Sequence, residues 1–146
     1  MGKKDNPFLS SKQEQKIIEA IQLAEKNTSG EIRVHIEFES STNHFEKALE
    51  VFKKLEMHQT KDRNAVLFHV APFDHNFTII GDKGIDKVTP ENFWEEIKNE
   101  VIKSFKEDKF TKGLCKGIEM TGEALKTYFP YQEDDINELP DEISYS

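Results

Sequence analysis

Three short polar segments carry the residue types best suited to chemistry: Thr28-Ser29-Gly30-Glu31, Thr60-Lys61-Asp62-Arg63-Asn64 and Gly81-Asp82-Lys83-Gly84. Glu31, Asp62 and Asp82 are hard oxygen donors of the kind that Ca²⁺ and Mg²⁺ take, with loop carbonyls or water filling the remaining positions. Irregular loops suit calcium better than magnesium. The competing reading is structural: Arg63 pairs with Glu31 or Asp82 and ties the segments together, while Gly81 and Gly84 serve turns. Thr28, Thr60, Asn64 and Gly84 are supporting candidates around the acids. The chain has only two arginines, and a planar guanidinium fits a carboxylate or a phosphate as lysine does not. Arg63 is therefore a candidate for orienting a site carboxylate. Arg33, on the outward face between Glu31 and His35, could do the same work or form a cross-strand ion pair, the second being the favoured reading.

Other chemistries are not announced. The histidines fall at 35, 44, 58, 69 and 75, with no pair at the helical i, i+4 spacing of a zinc motif. His69, inside an apolar run, reads as a satisfied core imidazole. Cys115 has no patterned partner and reads as a buried structural thiol. Neither a nucleophile elbow nor a phosphate-binding glycine loop occurs. A net charge of −8 with two arginines argues against a nucleic-acid partner. Six acids, Glu133, Asp134, Asp135, Glu138, Asp141 and Glu142, follow Phe129 with no basic residue among them; the first three could hold calcium weakly. No stretch approaches the roughly 18 apolar residues of a membrane span, and no apolar segment follows Lys3-Lys4, so a cytoplasmic location is expected.

The elements that position these residues follow from periodicity. Ser10 caps a helix whose apolar positions are Ile17, Ile18, Ile21 and Ala24, ending at Asn27 to Gly30. Glu31 to Glu39 alternates strictly and predicts a strand. Phe45, Ala48, Leu49, Phe52 and Leu55 predict a second helix ending near Met57. Asn64 to Ala71 is nearly continuous in apolar residues, as in a strand covered on both sides, and strand–helix–strand order predicts a right-handed parallel unit. Phe77 to Gly81 returns as an antiparallel hairpin. Thr89-Pro90-Glu91 predicts a helix start, continued by Phe93, Trp94, Ile97, Val101 and Phe105. Trp94 is core or a wall of the cleft. A last helix spans about Lys112 to Tyr128.

The expected fold is thus a three-layer α/β/α sandwich, a small mixed sheet flanked by about four helices. Residues 1–9 form a flexible arm, 10–130 the domain, and 131–146 an acidic tail packed on it or trailing from it. A monomer is expected. This topology brings all three polar segments to one edge of the sheet.

The stretches Thr28 to Val34, Phe52 to Leu67 and Ile80 to Ile85, with Trp94 after them, resemble the TPM-domain family, named for a thylakoid lumen protein, a photosystem II repair protein and an acetylcholine-receptor modulator. The resemblance implies a mixed sheet between helices, a divalent ion in a surface cleft, acid phosphatase activity in some members, and roles in assembly or repair of membrane complexes. Many members carry a signal peptide and an anchor; the pattern here resembles a soluble bacterial member. The expected function is divalent-cation binding, calcium first and Mg²⁺ or another ion second, serving assembly, repair or interaction with a protein partner. The alternative is a metal-dependent acid phosphatase, the metal polarising a phosphomonoester and Arg63 holding its oxygens.

Overall fold

The computed structural model describes residues 8–131 and 139–146. Helix α1 (Ser11–Glu25) starts at a reciprocal cap: Gln13 N–H donates to Ser10 Oγ at 3.1 Å, and Ser10 N–H to Gln13 Oε1 at 2.8 Å. Strand β1 (Glu31–Ile36) is followed by α2 (His44–Lys54), capped by the Asn43 side chain. Strands β2 (Ala65–Ala71) and β3 (Asn76–Gly81) follow. Then come the short α3 (Lys83–Asp86), α4 (Glu95–Lys106), α5 (Phe110–Tyr128) and β4 (Ser144–Tyr145). The sheet order is β3-β2-β1-β4, with β1 parallel to both β2 and β4, and β2 antiparallel to β3.

Alternation along the strands builds two cores. Ile32, Val34 and Ile36 of β1, with Val66, Phe68 and Val70 of β2, pack against Ile17 and Ile21 of α1, Val101 of α4, and Leu114 and Ile118 of α5. Ala65, Leu67 and Ile80 face the other way, onto Ala48, Val51 and Phe52 of α2 and onto Met57 and Leu139. The result is the three-layer α/β/α arrangement, with a mixed four-stranded sheet between helices.

Three details depart from the periodic reading. Strand β1 ends at Ile36, and all six of its residues are buried, including Arg33, which was expected to face outward. The cause is the C-terminal segment, which runs along the polar side of β1. Leu139 N–H donates to Glu31, Glu142 lies 4.0 Å from Arg33, and Ser144 and Ser146 bond His35. The tail is therefore packed on the domain from Leu139 onward; Glu133, Asp134, Asp135 and Glu138 lie outside the described residues. Second, α4 begins at Glu95 rather than near Thr89. Asp82 caps Lys83 N–H and starts α3 instead, and the Thr89 hydroxyl donates back to Ile85 O, so it is not available as a downstream cap. Third, Cys115 is half-buried, its sulfur 3.7 Å from Lys16 O, and burial raises its pKa.

Candidate metal sites

Glu31 opens β1 opposite Ala65, and Asp82 N–H donates to Ala65 O at 3.0 Å. The two carboxylates thus flank Ala65 on one face at one end of the sheet, 3% and 7% exposed. Arg63, in left-handed backbone at φ 51°, lays its guanidinium on Asp82: Nε to Oδ2 at 2.8 Å and Nη2 to Oδ1 at 3.1 Å. The same Oδ1 accepts Lys83 N–H at 2.8 Å. Gly84 N–H donates to Arg63 O at 2.9 Å, and a Cβ on Gly84 would stand 2.1 Å from Asp62 O and 2.5 Å from Arg63 O. Only hydrogen fits there.

The other candidates near this end serve its loops. The Asp62 side chain is exposed, so its carbonyl rather than its carboxylate reaches Gly84. Thr28 Oγ1 donates to Phe129 O and accepts Gly30 N–H; Thr60 Oγ1 accepts Asn64 N–H; Asn64 Nδ2 donates to Ser29 Oγ. Trp94 packs with the α4/α5 core, its ring so close to Gly81 that a Cβ there would come within 2.7 Å of Cζ2. By strand alternation that is the face opposite Asp82. Glu31, Arg63, Asp82 and Gly84 are thus gathered at this end, while Trp94 stands behind the sheet.

Negative charge crowds the region. Burial, a hydrogen bond with Asp141, and the charges of Asp141 and Glu31 push the Glu25 carboxyl up to about 9, against the lowering effect of Ile32 N–H. Burial and the charge of Asp82 raise Asp86.

Four residues further along the same face of β1, about 13 Å at strand rise, a second cluster lies under α2. Parallel register sets His35 opposite His69, their rings stacked with centroids 5.4 Å apart. Glu37 Oε1 lies 3.4 Å from His35 Nε2 and 3.6 Å from His69 Nε2. Among the described residues, these three form the one group of three or more His, Cys, Asp or Glu donors lying within 4.8 Å of one another. All are buried, His69 completely. Burial, then the neighbouring His69 charge, lowers His35 to about 4, and burial lowers His69. Burial alone would raise Glu37, but the hydrogen bond from Ser146 and the charges of His35, Lys47 and His69 outweigh it and hold it low. The cluster is therefore two neutral imidazoles beside a carboxylate, the protonation states that metal ligands need.

Helical spacing rules could not find this group. His35 and Glu37 are two apart on one strand face, and His69 joins them through register across β1 and β2. The signal was the polar side of the Glu31–Glu39 alternation, set against a single histidine in the apolar run. His69 is also not the satisfied imidazole expected: neither ring nitrogen has a hydrogen bond.

A family model, the TPM domain, matches residues 3–124. No curated protein matches the chain. The solution structure of the BA42 protein from the psychrophilic bacterium Bizionia argentinensis is similar, at 47% identity over 97% of this chain and 98% of that one, with a TM-score of 0.91. The N-terminal domain of a P. gingivalis protein aligns at 15% identity over 84% of this chain and 80% of that one, TM-score 0.69. That of a Corynebacterium glutamicum protein aligns at 13% identity over 83% and 76%, TM-score 0.65. At those identities the last two show a shared fold.

Proposed function

The chain belongs to the TPM-domain family, and we propose that it works as a divalent-cation-binding module that takes a hard ion, calcium, at the sheet end where Glu31 and Asp82 flank Ala65. The observation that supports this reading is the pair of carboxylates itself, both buried on either side of a residue whose side chain stops at Cβ. Burial is the main reason Glu25 and Asp86 are raised, and the neighbouring acids add to it; a dication would relieve that added repulsion. Arg63 orients Asp82 through its two hydrogen bonds. Ion binding stands ahead of phosphomonoester hydrolysis because the Arg63 fork, which would have to hold phosphoryl oxygens, is engaged by Asp82. Glu31 also accepts Leu139 N–H, so an ion on Glu31 would be felt by the tail, the route by which binding could bear on a protein partner.

A ¹⁵N–¹H titration of the full chain with calcium tests the reading. Residues 28–31, 60–64 and 81–86 are expected to shift together and saturably. Shifts confined to the acidic tail would overturn it.

A further inference from the structure

The second cluster carries chemistry of a different kind. A borderline divalent ion bound by imidazole and carboxylate at about 2.0–2.2 Å needs neighbouring donors about 3.4 Å apart in a tetrahedral set. The separations of Glu37 Oε1 from His35 Nε2 and His69 Nε2, 3.4 and 3.6 Å, match that edge. Part of the triad's bonding capacity is also unused. His69 is fully buried with no hydrogen bond at either nitrogen, and Glu37 Oε2, equally buried, has none. Leaving such groups unsatisfied is costly.

His44, the first residue of α2, adds to the pattern. Its ring lies 6.3 Å from that of His69; its Nε2 is 2.8 Å from Asp74 Oδ2, and its buried Nδ1 has no hydrogen bond. An imidazole held by a carboxylate at one nitrogen and open at the other is how proteins present a metal ligand. Ser40, Ser41, Thr42, His44 and Asp74 line an open recess on the outer side of this imidazole. Ser146 Oγ lies 2.7 Å from His35 Nε2 and donates to Glu37 Oε1 at 2.9 Å, bridging the two donors that an ion would bridge.

We propose that His35, Glu37 and His69 bind a divalent transition-metal ion of the zinc class, with His44 the nearest imidazole to complete the set and Asp74 orienting it. On binding, the Ser146 hydroxyl steps aside or becomes a ligand. His35 then coordinates through Nε2, and its Nδ1–H donates to Ser144 Oγ, 2.7 Å away. This site is separate from the calcium reading above and takes a different ion class.

The test is a titration of the full chain with zinc chloride alone, read by long-range ¹⁵N–¹H correlations of the histidine rings, with Co²⁺ absorption reporting coordination. One equivalent is expected to move the ring nitrogens of His35 and His69 while those of His75 stay, and Co²⁺ is expected to give the visible bands of a four-coordinate site. His69→Asn and Glu37→Gln should abolish binding, Asp74→Asn should weaken it about tenfold, and the exposed His75→Asn should leave it unchanged. The wild-type ring shifts need no variant, so a misfolded mutant does not mask the answer. Shifts confined to His58 or His75, wild-type affinity in a folded Glu37→Gln, or the same ring shifts with magnesium would overturn the assignment.

Discussion

Arg63 holds Asp82 through two hydrogen bonds, Nε to Oδ2 and Nη2 to Oδ1, and so links the loop before β2 to the turn after β3. A lysine at position 63 keeps the charge but offers no planar fork. Arg63→Lys is therefore expected to lower the melting temperature while retaining the native circular dichroism spectrum. A melting temperature equal to wild type would show that the fork is not needed to join the two segments.

Asp82→Asn separates ion binding from hydrolysis at the acidic end. The amide is a weaker oxygen ligand, and its nitrogen cannot accept from Arg63. Calcium affinity, measured by calorimetry, should fall at least about tenfold, on the order of 1.4 kcal/mol. With p-nitrophenyl phosphate, wild type and variant are expected to give equal background rates; a rate that disappears with Asp82→Asn would favour the phosphatase reading instead.

Gly84→Ala forces a Cβ onto the carbonyls of Asp62 and Arg63, which are backbone atoms and cannot swing away. Overpacking of this kind costs about 1–3 kcal/mol. Denaturant unfolding should show that loss in the midpoint, with the m-value unchanged.

Glu25 and His35 give stability opposite slopes with pH. Glu25 has a folded pKa of about 9 against an ordinary 4.5. Its contribution is complete below pH 4.5, where both states are protonated, and is lost progressively as pH rises toward 9. Glu25→Gln should flatten that decline, whose limit for one proton is about 1.4 kcal/mol per pH unit, and should be more stable than wild type at pH 8. His35 has a folded pKa of about 4 against 6.5. Its neutral form contributes stability above pH 6.5 that is lost as pH falls toward 4. Thermal melts across pH 4–9 for wild type and Glu25→Gln check both slopes.

Much of the fold is readable from local periodicity because its central elements are regular. The apolar run Asn64 to Ala71 and the alternating Glu31 to Glu39 are sufficient for the parallel pair, and the short connection to Phe77 for the hairpin. Periodicity stops short where a distant partner decides. Alternation separates Arg33 and His35 from Ile32 and Val34, but cannot say that Glu142 and Ser144 will cover the polar side. A two-residue strand such as Ser144–Tyr145 is below the length at which alternation means anything. Thr89 had every local mark of a helix cap, yet its hydroxyl turned back to Ile85 O. For the same reason the convergence of Glu31 and Asp82 could be inferred from strand direction, whereas the histidine cluster needed the register itself.

The pairing of β4 with β1 joins His35 to Ser144 across 109 positions of chain. A contact so distant in sequence adds loop-closure entropy and slows the last step of folding. During synthesis, β1, β2 and β3 can pair while the polar row of β1 still faces water, and that row is sealed only after residues 139–146 have left the ribosome. Until β4 pairs, the polar row of β1 from Glu31 to His35 is therefore open to solvent.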